Sequence, residues 1–298
     1  DSLARRSDRE IRYVHMDGLR GVAALGVLMS HLFNHFFTAF SDPGSDDPVS
    51  LFFGSTPLSA FYNGQFSVYI FFVLSGFVLS AATSRSRLSL PSTILRRYVR
   101  LTLPMAGITL IFLLAGRAGF FFNGLVIDSA PHAGGIYPLD YKPGWLEWAS
   151  KSIYGTYLTG DYLLDGVVWT MKVEIWGSLY VFLIWFVLRR KLFRMLFCAV
   201  TFATVAALLE KHSSLQGFQL FPLGVLIYDV SLWNPFRRLR SSTALVIGAL
   251  MLFVGILCGA WQVKHPVLPG INLIVENLLE PLFGNISRYE AAQIGAVL

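Results

Sequence analysis

The chain has 298 residues, 54% of them apolar and only 14% charged, against about 25% charged in an ordinary soluble domain. Its net charge of +6 does not point to nucleic acid, because the basic residues sit in short clusters between apolar runs. Those runs argue against a soluble fold, since a helix that crosses a bilayer needs about 20 apolar residues at about 1.5 Å each.

The expected class is therefore all-α: a polytopic transmembrane helix bundle, read as one domain over residues 1–298. The basic N-terminus (Arg5, Arg6, Arg9, Arg12) resembles the start of a signal peptide. No small-residue cleavage site follows it, however, and the next apolar run contains Arg20, His31 and His35. Seven spans are predicted, over Gly21–Phe40, Phe66–Thr83, Leu101–Phe122, Val167–Leu188, Leu192–Leu209, Leu215–Trp233 and Thr243–Trp261. An eighth run, Val267–Phe283, is interrupted by Pro269, Glu276, Glu280 and Pro281 and reads as a partial or re-entrant segment. Cys198 and Cys258 fall inside apolar runs and read as packing residues.

Alternate connections are basic. Arg5, Arg6, Arg9, Arg12 and Arg20 come before the first span, and Arg85, Arg87, Arg96, Arg97 and Arg100 lie between the second and third. Arg189, Arg190, Lys191 and Arg194 follow the fourth, and Arg237, Arg238 and Arg240 the sixth; together these are 17 of the 24 Lys and Arg residues. The positive-inside bias then places the N-terminus in the cytoplasm. The opposite connections agree, since Ser41–Gln65 holds three Asp and no basic residue. The other long one, residues 123–166, is rich in Gly, Pro, Tyr and Trp. It reads as a long outer loop that lies on the interface, covers an outward-opening site, or packs on the bundle. No internal repeat is visible, which weakens an inverted-repeat transporter.

Ionisable residues in hydrocarbon cost at least a few kcal/mol each, so each needs a reason. Arg20 and His31 are eleven residues apart, a rotation of about 1100° that puts both on one helical face with a rise of about 16 Å. Glu174 enters from the other side, seven residues into its run, at a depth that nearly matches that of His31. An imidazole beside a buried carboxylate suits a general base, although spacing leaves open that the two are packing residues that never meet. Arg97 and Arg100 share a face and suit bidentate capture of phosphates, but from sequence alone the positive-inside bias accounts for them better. His31 and His35 are four apart, as metal ligands can be, yet only Glu174 offers a third ligand, and no metal is expected. Lys172 reads as a snorkelling residue, and Ser75 beside Gly76 as a small residue allowing close helix packing. Arg117 and Asp229 complete the set of charges in or near the runs.

Three stretches together resemble the acyltransferase 3 family of multi-pass membrane acyltransferases. They are Met16-Asp17-Gly18-Leu19-Arg20-Gly21 with His31; Phe71-Phe72-Val73-Leu74-Ser75-Gly76-Phe77 followed by Arg96-Arg97-x-x-Arg100 and Pro104; and Val168-Trp169-Thr170-Met171-Lys172-Val173-Glu174 running into Gly177-Ser178-Leu179-Tyr180. The resemblance covers roughly residues 13–190. Members of that family modify cell-envelope polysaccharides, peptidoglycan, lipopolysaccharide, Nod factors and some secondary metabolites. There are two departures. Tyr69 stands where many members have an acidic residue, and Gly284-Asn285-Ile286-Ser287-Arg288-Tyr289 matches poorly the family's late Gly-x-x-Ser-Tyr element. A chain of this length is therefore expected to lack the family's last spans.

The resemblance implies that His31 is catalytic, either activating the acceptor hydroxyl or carrying the acyl group. It implies that Glu174 assists the histidine, that Arg20, Arg97 and Arg100 serve the acyl-CoA side, and that Trp169 contacts substrate. The expected reaction is O-acylation, with acetyl-CoA as co-substrate and no bound cofactor, of a carbohydrate or lipid-linked glycan in a bacterial inner membrane. A proton-coupled transporter and a non-catalytic membrane scaffold are the rival readings.

Overall fold

In hydrocarbon every backbone N–H and C=O must be satisfied within its own segment, so apolar runs of this kind are stable as helices. The computed structural model describes residues 2–36, 48–54, 56–121, 143–160, 166–209, 217–233, 241–260 and 296, and all regular structure among them is helical. The predicted run Val267–Phe283 lies outside the described residues. In chain order the elements are α1 (Ser2–Phe36), α2 (Pro48–Gly54), a 3-10 turn (Pro57–Tyr62), α3 (Gly64–Thr83) and α4 (Leu90–Arg117). After these come α5 (Trp145–Ser150), a π-helical turn (Lys151–Gly155), α6 (Thr156–Leu158) and a second 3-10 turn (Gly166–Trp169). The remainder are α7 (Thr170–Val187), α8 (Lys191–Leu209), α9 (Leu220–Ser231) and α10 (Ser241–Ala260).

Among the described residues, four helices are long and apolar enough to cross a membrane: Gly64–Thr83, Leu90–Arg117, Thr170–Val187 and Ser242–Ala260. Among the described residues of the predicted run Leu215–Trp233, the helix is the 12 residues of α9, a rise of about 18 Å that falls short of the hydrocarbon thickness.

The chain divides into two compact units, with α3 contributing to the first through Leu74 and to the second from Ser75. In the first unit, α1 turns Ala23, Gly26 and Ser30 inward at helical spacing. Gly26 faces Ser67 and Gly64 faces Ser30 so closely that a Cβ at either glycine would collide with the serine, the small-residue contact that lets membrane helices approach. The end of α10 is closed from the first 3-10 turn and the residue after it. Ser59 Oγ donates to the Ala260 carbonyl at 3.0 Å and Asn63 Nδ2 to that of Gly259 at 2.8 Å, satisfying two carbonyls that the helix leaves open. Tyr62 is buried there, edge-on to Phe33 at 5.1 Å, and burial pushes its phenol up to about 12.

In the second unit, α4 starts with Pro91 in its first turn, where the missing N–H costs nothing. It therefore begins eleven residues before the predicted run at Leu101. Thr102, Met105, Thr109 and Leu113 form a buried stripe along it, and the stretch Trp145–Leu158 lies antiparallel against that stripe. Arg117 donates to the Pro143 carbonyl at 3.0 Å, with its guanidinium over the Trp145 ring at 5.1 Å. Trp148 Nε1 donates to Thr109 Oγ1 at 3.1 Å, and Thr102 Oγ1 meets the Tyr157 hydroxyl at 2.8 Å. Within the segment predicted as a long outer loop there is thus a helix laid along α4. Within its π turn the Ile153 carbonyl accepts from the Tyr98 hydroxyl at 2.8 Å.

Candidate functional site

Because α4 begins at Leu90, Arg97 lies two turns inside the helix, about 10 Å from its start. Its side chain turns into the second unit and is only 12% exposed. Glu174 stands in the second turn of α7, which packs against this end of α4 through Ile175, Met171, Tyr98 and Leu101. The Arg97 guanidinium and the Glu174 carboxylate form an ion pair, NH2 donating to Oε1.

Two serines complete the arrangement. Ser75 Oγ, on α3, donates to the same Oε1 of Glu174 at 2.6 Å. Ser178, one turn beyond Glu174 on α7, commits its proton to the Glu174 backbone carbonyl at 2.6 Å. Its oxygen is thereby left to accept from Arg97 Nε at 2.9 Å. Three helices thus supply one charge-assisted network, and each serine is buried.

The serines are held in place from α9. Phe221, fully buried, packs against the glycines that adjoin them in sequence, Gly76 and Gly177. A Cβ at Gly76 would run into the Phe221 carbonyl oxygen, and one at Gly177 into the Phe221 ring. The glycines therefore let α9 seat directly against α3 and α7.

The other predicted site residues are placed as follows. Arg100, which shares a helical face with Arg97 by spacing, is exposed. Trp169 is partly buried at the junction between the second 3-10 turn and α7. Lys172 Nζ lies 3.5 Å from the Thr159 carbonyl at the end of α6, where a cation complements a helix C-terminus. Arg20 and His31 belong to the first unit. Arg20 lies 3.6 Å from Asp17 with its side chain partly exposed, and His31 is exposed one residue beyond the buried Ser30. The partners found for Glu174 are Arg97 and Ser75, an association that spacing along single helices could not reveal. Ser178, four residues after Glu174 on the same helical face, belongs to the same motif, and that spacing is the one sequence signal for its hydroxyl.

A second network differs from its sequence reading. Arg194, counted with the connecting segment, lies inside α8 and is 4% exposed, paired with the fully buried Asp229 of α9. The pair is bidentate, with Nε to Oδ2 at 2.8 Å and NH2 to Oδ1 at 2.6 Å. NH1 donates to the Leu188 carbonyl at 3.1 Å, and the guanidinium stacks 3.7 Å from the centre of the Trp185 ring. The buried carboxylate explains the correction, since it makes burial of the arginine tolerable. These contacts tie α8 to α9 and to the end of α7.

Beside the Arg97 network runs an apolar groove of about 610 Å³, lined by Leu90, Ile94, Tyr98, Tyr157, Ile175 and Trp176 among others. Tyr98 and Ile175 are the chain neighbours of Arg97 and Glu174.

A family model described as an acyltransferase domain matches residues 13–276. No curated protein and no solved structure matches the chain.

Proposed function

The chain belongs to the acyltransferase 3 family, and from that premise we propose that it moves an acyl group, taken to be acetyl, from cytoplasmic acyl-CoA to a hydroxyl of a carbohydrate or lipid-linked glycan. The observation that carries this reading is the network of Arg97, Glu174, Ser75 and Ser178, in which a cation and a carboxylate from two separate sequence motifs are buried together. A buried ionisable pair in a helical membrane protein marks a candidate site, and this one, unlike Arg194–Asp229, joins two motif residues beside an apolar groove.

In this reading Arg20, Arg97 and Arg100 hold the donor phosphates. A guanidinium has five N–H donors, so Arg97 can serve a carboxylate and a phosphate together. His31 takes the proton of the acceptor hydroxyl, or carries the acyl group itself, and Glu174 supports the charged imidazole. Trp169 forms part of the substrate wall. Its long apolar helices cross a bacterial inner membrane with the N-terminus in the cytoplasm, so that the arginine clusters face the compartment that holds coenzyme A.

The test incubates membranes carrying the full chain with radiolabelled acetyl-CoA and a candidate glycan, comparing wild type with His31→Ala. Label is expected in the glycan with wild type, falling by about 100-fold or more in the variant. Transfer that survives the substitution removes His31 from the mechanism. If the wild type neither binds nor consumes acetyl-CoA, acyl transfer is wrong and a proton-coupled carrier or a scaffold takes its place.

A further inference from the structure

Arg97 and Glu174 would not keep a fixed geometry by attraction alone. Both side chains are long, and an ion pair is attractive over many arrangements. What removes that freedom is a hydroxyl on each partner. Ser178 takes up the Nε edge of Arg97, so the guanidinium plane is defined by two directions, Nε to Ser178 and NH2 to Glu174. The Ser178 hydroxyl cannot rotate away cheaply, because its proton is already given to the Glu174 carbonyl. Ser75 donates to the carboxylate oxygen that also receives Arg97, so Oε1 is held from two helices. Phe221 against Gly76 and Gly177 keeps both serines at fixed height.

We propose that Ser75 and Ser178 are positioning residues of the acyl-transfer site with separate duties, Ser178 aiming Arg97 at the anionic donor and Ser75 aiming the Glu174 carboxylate for the chemical step. The proposal rests on the reading above that Arg97 binds donor phosphate and Glu174 takes part in transfer. It adds a division of labour which that reading does not contain. A guanidinium that loses its Nε acceptor still pairs with Glu174, but its plane loses one of the two directions that define it, so donor capture weakens. A carboxylate that loses the Ser75 hydroxyl remains paired with Arg97 but tilts. Donor binding is then preserved while turnover falls.

The experiment uses the full chain, purified in detergent, as wild type, Ser75→Ala, Ser178→Ala, Ser75→Thr and Ser178→Thr. Affinity for coenzyme A is measured directly, kcat and donor KM are measured with acetyl-CoA, and thermal stability is recorded for every variant. Loss of one hydrogen bond to a charged group predicts an effect of about tenfold or more. Ser178→Ala should raise donor KM and the dissociation constant of coenzyme A by about that factor with kcat little changed. Ser75→Ala should lower kcat by about that factor with coenzyme A binding unchanged. Each threonine variant, which keeps a hydroxyl, should return toward wild type.

Wild-type kinetics and binding in both alanine variants overturn the proposal. So do parallel losses of kcat and affinity that track a lower melting temperature, since those describe a merely structural role. Arg97→Lys and Glu174→Gln separate this failure from failure of the functional reading. If both retain full activity, the functional reading falls and takes the proposal with it. If both are inactive while the serine variants behave as wild type, only the proposal falls.

Discussion

Arg97 of α4 and Glu174 of α7 meet as an ion pair whose side chains are each 12% exposed. Removal of one partner leaves the other charge buried without its counter-ion. Glu174→Ala is therefore expected to destabilise the protein by about 3 kcal/mol. Replacing both by apolar residues of similar volume, Arg97→Met with Glu174→Leu, should cost much less than the sum of the single changes. Activity should be absent from the double variant all the same. Thermal melts and acetyl-CoA turnover on the same preparations separate stability from function.

The Arg194–Asp229 pair should behave differently. Asp229→Asn or Arg194→Met is expected to cost about 3–5 kcal/mol, while the folded fraction keeps wild-type donor KM. Arg194→Lys should not rescue, because an ammonium cannot reproduce the two-pronged contact with Oδ1 and Oδ2 or the stacking on Trp185. Yield of monodisperse protein and specific activity per folded molecule are the measurements.

The glycines beside the serines predict a suppressor pattern. Gly177→Ala collides with the ring of Phe221, so Phe221→Leu in the same chain should relieve part of the damage. Gly76→Ala collides with the Phe221 backbone oxygen, which no side-chain change at that position removes. Its defect should persist in the Phe221→Leu background. Melting temperatures of the four combinations decide this.

Tyr62 gives a pH dependence of known sign. Its phenol titrates near 10 when unfolded and is pushed up to about 12 in the fold by burial. Above pH 10 the unfolded chain releases this proton while the folded chain keeps it, so stability falls from about pH 10 and levels off above 12. The loss amounts to about 2–3 kcal/mol. Tyr62→Phe should abolish this part of the alkaline decline. It should also be neutral or slightly stabilising at pH 7, because the buried hydroxyl has no hydrogen-bond partner among the described residues.

The helical class and the positions of α3, α7 and α10 were legible because hydropathy reports residues that favour lipid. Helix ends were less so. Leu90–Arg100 continues α4 through Arg96, Arg97 and Arg100, and a hydropathy window discards such an amphipathic extension. Trp145–Leu158 was hidden for a similar reason, since the glycines and prolines before it gave its whole segment the composition of a loop. In the site, the motifs marked Arg97 and Glu174 one by one. Their pairing was not legible, because spacing fixes faces within a helix but says nothing of the register between two helices. Arg194 was misplaced for a related reason. Its neighbours are basic, and only a carboxylate 35 residues away on α9 explains why it turns inward.

That last contact bears on how the chain is made. Neither α8 nor α9 can enter lipid by itself without bringing an unpaired charge, and α9 has only 12 residues with which to anchor itself. The two helices should therefore leave the translocon as a hairpin, with α8 waiting until Asp229 has been synthesised. A nascent chain halted after Leu209 would show the delay as a low inserted fraction of α8, restored when synthesis is allowed to pass α9. If α8 inserts fully at the earlier stop, the pair forms after insertion and plays no part in biogenesis.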